Sequence, residues 1–164
     1  MRKLIALLVV VTSLGIAFAK DGANDRGNLF EFNRLAAVVP PFTGPVNPIR
    51  GIGGAGAPWQ IAEGRAELNS NGRIEVRTRG LVLVANGTNP IATFAVILSC
   101  QSKDAAGAPT VVNLVAGTTP ATATGDAEFE GTVQPPSPCF APIVFVAIPA
   151  TATAPARWLA ISGF

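Results

Sequence analysis

The stretch "EGRAELNSNGRIEVRTRG", residues 63–80, constrains the fold more than any other part of the chain. Charged and apolar residues alternate on both sides of Asn69-Ser70-Asn71-Gly72, so each flank has a wet and a dry face and reads as a half-buried strand. The intervening turn makes the two flanks a hairpin, and Gly72 can take positive φ without a Cβ penalty. The charges indicate a register: Glu67 opposite Arg73, Arg65 opposite Glu75 and Glu63 opposite Arg77, which also sets Ala66 beside Ile74. Each exposed pair contributes only about 0–1 kcal/mol, so such a ladder selects register more than it stabilises the fold, and a solvated structural face is the expectation.

The same short-period pattern recurs along the chain, with no long helical period after residue 19. Strands are expected over 59–68, 73–84, 91–101, 110–115, 126–133, 142–148 and 157–162, with another at 34–39. Residues 40–58 read as a Pro- and Gly-rich connection and 118–124 as a polar turn. The expected fold is all-β: an antiparallel β-sandwich or small barrel of seven or eight strands, immunoglobulin-like in general architecture. The expected organisation is a single β domain over 59–164, preceded by an N-terminal extension and lead-in over 20–58.

Residues 1–19 read as a secretory signal peptide, because Arg2 and Lys3 precede the apolar run from Leu4 to Val11 and the small-residue ending Ala17-Phe18-Ala19. Cleavage after Ala19 would make Lys20 the mature N-terminus and leave 145 of the 164 residues, enough for one domain with a genuine core. It would also take the twelve basic residues to ten, against ten acidic ones. A neutral exported protein has no electrostatic reason to bind nucleic acid or an anionic membrane. A secreted or periplasmic location follows. The two cysteines, Cys100 and Cys139, are then expected to bond to each other, which stabilises by about 4 kcal/mol for a closed loop of about 40 residues.

Missing residue types exclude more chemistry than present ones indicate. The chain has no histidine, hence no Ser-His-Asp triad and no imidazole-ligated zinc or copper. Tyrosine, the commonest residue of adaptable aromatic recognition, is also absent. No metal site and no cofactor are expected.

Five residues remain as candidate binding positions. Trp59 and Trp158 could stack on a sugar or peptide, although a tryptophan beside strand residues more often fills a core. Asp126, Glu128 and Glu130 alternate along "GDAEFEG" and so share one side of a strand. Such carboxylates can face water, accept Arg79 or Arg157 from a neighbour, hold a hard cation or serve glycoside hydrolysis; pairing or solvation is the expectation, since a regular strand spreads them too widely for calcium. Asn86-Gly87-Thr88 matches a glycosylation acceptor but reads as a plain turn.

Two motif-like features lose force in context. In "RGIGGAGAPW", Gly51, Gly53, Gly54 and Gly56 have the G-x-G-x-x-G spacing of a dinucleotide loop, yet no strand leads in and no helix leaves, so no helix N-terminus faces a pyrophosphate. No nucleotide is expected there; the segment reads as a mobile surface loop that delivers Trp59 to the sheet, and its deletion as altering partner binding more than folding. The ending "RWLAISGF" is similar to the last strand of outer-membrane barrels, but short strands, many prolines and no tyrosine girdle argue against membrane insertion.

Three separated pieces carry a family resemblance: "VVPPFTGP" at 38–45, "EGRAELNSNGRIEVRTRGL" at 63–81 and "GAPTVVNL" at 107–114. Together they resemble the organisation of chordin-type (CHRD) domains, secreted β-rich modules. The chain departs from that family in lacking a histidine within "ATFAVILSC" and in having the cysteine pair. The resemblance implies an extracellular β-sandwich with an interaction role and transfers no binding residue. The expected function is a secreted, disulfide-stabilised, non-catalytic module for extracellular binding or structure, with a glycan or a protein as ligand. The alternatives are a carbohydrate-acting hydrolase using Asp126, Glu128 or Glu130, and a small outer-membrane β-barrel.

Overall fold

A computed structural model describes residues 27–162. The expected signal peptide, the expected mature terminus at Lys20 and the final Phe164 lie outside the described residues. Twelve strands are present among those residues, against the seven or eight expected: β1 (Asn28–Phe32), β2 (Ala36–Ala37), β3 (Gly53–Gly54), β4 (Trp59–Gln60), β5 (Glu63–Asn69), β6 (Arg73–Arg79), β7 (Val82–Leu83), β8 (Thr93–Lys103), β9 (Pro109–Pro120), β10 (Ala127–Thr132), β11 (Phe140–Ile148) and β12 (Arg157–Ile161). The excess arises in two ways. The expected strands over 59–68 and 73–84 each break in two, and β1 and β3 come from segments expected to be irregular.

The strands form a four-stranded sheet, β1-β5-β6-β10, a larger one, β2-β12-β11-β8-β9, with β3 also paired to β12, and a separate two-stranded ribbon, β4-β7. The two main sheets are open, which makes the all-β fold a sandwich rather than a closed barrel. Pairing is antiparallel except for β3 against β12. The two sheets meet where Phe129 of β10 lies against Gly117 of β9; a Cβ on that glycine would stand 2.8 Å from the ring. Gly117 is the cross-strand partner of Val96, so the Val96 face of β8 looks toward the small sheet. Phe94, Val96, Leu98 and Cys100 therefore pack with Ala66, Leu68, Ile74 and Val76 in the central core. The Cys100–Cys139 disulfide forms as expected, with Cα atoms 5.0 Å apart, and ties β8 to the start of β11.

The hairpin is present, but its register differs from the expected one by two residues. Glu63 faces Arg79, Arg65 faces Arg77, and Glu67 faces Glu75. Backbone geometry at the turn decides this. Gly72 has φ of +83°, its N–H donates to Asn69 O at 3.0 Å, and Arg73 N–H donates to Asn69 Oδ1 at 2.9 Å. That leaves a three-residue connection with a left-handed glycine and carries Leu68 opposite Ile74. Two like-charged pairs cost less than a broken turn and a displaced apolar face, because exposed charges interact weakly in water.

The larger departure concerns residues 40–58. Phe42 packs against Trp158 with ring centroids 6.4 Å apart, and Ala55 N–H donates to Trp158 O at 2.9 Å. Further along, Asn113 Nδ2 on β9 donates to Arg50 O at 3.0 Å, while the Arg50 guanidinium donates to Ala141 O of β11 at 2.6 Å. The segment is thus a strap across the face of the large sheet that points away from the small one. Under it lie Ile97, Ser99, Phe145 and Trp158, all buried. The expected mobile glycine loop is corrected accordingly. Ile52, Gly53, Gly54 and Ala55 are buried, and a Cβ on Gly54 would collide with the Phe42 carbonyl oxygen and approach Val38 Cγ2 to 2.8 Å. Gly53 and Gly54 thus serve close backbone approach rather than mobility. Leu35, Val38, Ile52 and Ala55 all belong to the core, so packing runs without a break across the boundary expected at residue 58.

Candidate functional site

Alternation along β5 and β6 buries Ala66, Leu68, Ile74, Val76 and Thr78 and leaves the charged residues outside. Since β10 adds to β6 in register, its glutamates join the same outer face. Cross-strand pairing sorts the charges into rows. One row runs Glu31, Glu67, Glu75, Glu130 across all four strands; the next runs Arg65, Arg77, Glu128. A shallow depression of about 300 Å³ lies between these rows, lined by Arg65, Glu67, Glu75, Arg77, Glu128 and Glu130.

Arginines of β6 serve the carboxylates of β10. Arg77 Nε lies 3.3 Å from Glu128 Oε1, and Arg79 donates to the same oxygen. Arg73 bridges two strands, with Nη2 at 2.9 Å from Glu130 Oε2 and 3.0 Å from Glu75 Oε1. On β5, Arg65 Nε pairs with Glu63 Oε1 at 3.2 Å. The pairing of this acidic cluster with Arg79 agrees with the expectation; Arg73 and Arg77 were not foreseen as partners, and Arg157 instead packs over Gly53. The hydrogen bond from Arg79, then the charge of Arg77, pulls the Glu128 carboxyl below the ordinary glutamate range.

Asp126 does not share this role. It precedes β10, where its Oδ1 accepts the Gly80 N–H at 3.0 Å and its Oδ2 accepts the Thr124 hydroxyl at 3.0 Å. These bonds, the backbone one foremost, push its carboxyl below the usual aspartate range. The three carboxylates expected on one strand face are therefore two on the face and one closing a turn.

Trp59 and Trp158 are placed apart from this face and inside the protein, 3% and 2% exposed. The Trp59 backbone N–H donates to Val38 O at 2.9 Å, and the Trp158 ring lies near those of Phe42 and Phe145. Neither ring offers a face to a sugar or peptide in this conformation. Asn86 is exposed and its Oδ1 accepts from both Thr88 N–H and Thr88 Oγ1, which closes the turn read from the sequence.

Arg50 escaped the sequence reading. Its φ of +52° and that of Ala141, +42°, are uncommon for residues with a side chain, and the two are joined by the hydrogen bond that pins the strap. Burial pushes the Arg50 guanidinium below its ordinary value. No sequence signal marks this residue, because its role depends on contacts 63 and 91 residues away. Compared with family models, curated proteins and solved structures, the chain finds no match in any of the three.

Proposed function

We propose that this chain is an exported, non-catalytic β module that binds a polar extracellular ligand, a glycan or a protein, through the outer face of its four-stranded sheet. The observation that carries this reading is the face itself: a regular array of ion-paired arginines and glutamates left open beside a well-filled core. The charged groups are held in rows by strand register, so recognition would need little ordering on binding. The Cys100–Cys139 bond suits an oxidising compartment, and the leader-like residues 1–19 and the resemblance to chordin-type domains point the same way.

The hydrolase alternative fits less well. A general acid at neutral pH needs a carboxyl raised by burial or by a like charge, whereas Asp126 and Glu128 are both pulled down by donors already in place. The test is binding of the purified protein to an array of neutral and acidic glycans, to peptidoglycan and to a panel of extracellular proteins, beside Arg65→Glu and Arg77→Glu variants. Binding that is lost in the folded variants supports the reading. Reproducible glycan turnover abolished by Glu128→Gln alone would replace it with the hydrolase.

A further inference from the structure

The inner and outer edges of the large sheet are finished differently. Along β12, β2 and β3 occupy the edge; along β9, the other edge, no further strand pairs among the described residues, and β10 comes close at its far end, where Thr119 Oγ1 donates to Glu128 O at 2.6 Å. Outside its pairing with β8, no hydrogen bond among the described residues reaches a backbone group of residues 110–116. Proteins usually blunt such an edge with lysine, proline or a bulge. Here Pro109 and Pro120 close the ends and a register shift opposite Val96 and Ile97 disturbs the middle, but "TVVNLV", residues 110–115, has neither charge nor proline.

Side chains at this edge are left open too. Val111 is 43% exposed, Val115 66% and Phe140 58%. Phe140, Gln101 and Val111 are successive cross-strand partners, so they form one row running out to the bare edge. Beside them lies a shallow groove lined in part by Lys103, Pro109 and Thr110.

We infer that β9 pairs with β9 of a second copy, antiparallel and centred on Asn113, joining two large sheets into one. The sequence around Asn113 is close to palindromic in character. In that register Val112 meets the partner's Leu114, Val111 meets the partner's Val115, and Thr110 meets the partner's Ala116. Each exposed valine then covers another, and the Phe140–Gln101–Val111 row continues into the partner's Val115. An isologous antiparallel contact sets each residue except Asn113 against a different residue of the same strand, and a strand without charge leaves no unpaired charge to be covered in such a contact. A heterologous extended peptide would need no such palindrome. Asn113 is no obstacle at the axis, since its amide is already held by Arg50 O. The pairing is short, which places it at the small end of specific interfaces and makes the dimer concentration-dependent.

The test is sedimentation velocity on the purified protein from micromolar to millimolar concentration. Wild type is expected to show a reversible monomer–dimer equilibrium. Val115→Lys should abolish the dimer without altering thermal unfolding of the monomer, and Val46→Lys, an exposed position beside the opposite edge, should leave the dimer unchanged. The double variant Val111→Glu/Val115→Lys should restore the dimer, because the proposed register sets each glutamate against the partner's lysine, whereas parallel pairing would set like against like. A wild type that stays monomeric throughout, a Val115→Lys protein that still dimerises, or a double variant that does not recover would each overturn the inference. Capture of an added extended peptide by a wild type that never self-associates would assign the edge to another partner and overturn it as well.

Discussion

The two outward faces of the sandwich meet different fates, and the difference is written in their strands. On the four-stranded sheet the pattern is strict alternation, and the outer face stays in water, carrying arginines and glutamates. On the large sheet, β8 is buried at seven consecutive positions, because the strap over 40–58 covers the side that the small sheet does not. A strand wet on one side reads as alternation; one dry on both reads as an unbroken apolar run. "TFAVILSC" is such a run, so the need for a second cover was present in the sequence. The same contrast separates the energetics. Substitutions beneath the strap create cavities or clashes, whereas those on the charged face change solvated ion pairs.

The largest effect that would sharpen this contrast is expected at Trp158. Trp158→Ala should destabilise by about 3–5 kcal/mol in denaturant titration, comparable to a central-core truncation such as Phe94→Ala. A loss below about 1 kcal/mol would mean that the strap side is not packed. Next comes the disulfide. Replacing Cys100 and Cys139 by serine should cost about 2–5 kcal/mol, read as a lower midpoint of thermal unfolding. An unchanged midpoint would show that the link constrains little.

Acid provides a smaller effect confined to the small sheet and its adjoining turn. Asp126 and Glu128 have folded-state carboxyls pulled below their unfolded values, near about 3.9 and 4.3. Their contribution is therefore complete above those unfolded values and is lost as pH falls through the lower folded ones. Stability should decline below about pH 4, and the decline should be shallower in an Asp126→Asn/Glu128→Gln variant. Equal slopes in wild type and variant would remove these two groups from the acid response. The smallest effect belongs to the face proper: Arg77→Ala should change stability by no more than about 1 kcal/mol.

Legibility followed the side chains. The all-β class, the hairpin over 63–79 and the cysteine pair could be read because alternation, turn residues and thiols are local signals. The hairpin register was misjudged because the charges were matched within two strands, while Glu128 and Glu130 of a third strand take Arg77, Arg79 and Arg73. β3 left no signal at all: Gly53 and Gly54 have no side chains with which to show a period, and their Pro- and Gly-rich setting reads as a loop. The far half of β9 was hidden by Gly117 and Pro120, which look like turn residues but sit in an edge strand that tolerates them. At the candidate site, the pairing of Glu128 was legible; the diversion of Asp126 to the Gly80 amide depended on a turn that the strand pattern does not encode.

A pair of glycine substitutions in the strap tests the two-cover architecture most directly. Gly54 is enclosed by Phe42 and Val38, whereas a Cβ on Gly56, two residues on, would meet nothing within 4 Å. Chemical denaturation of Gly54→Ala and Gly56→Ala should separate sharply: a loss of about 2 kcal/mol or more at Gly54, and a change within about 0.5 kcal/mol at Gly56. If both variants unfold together with wild type, the strap is a loose surface loop, and the large sheet does not depend on it for cover.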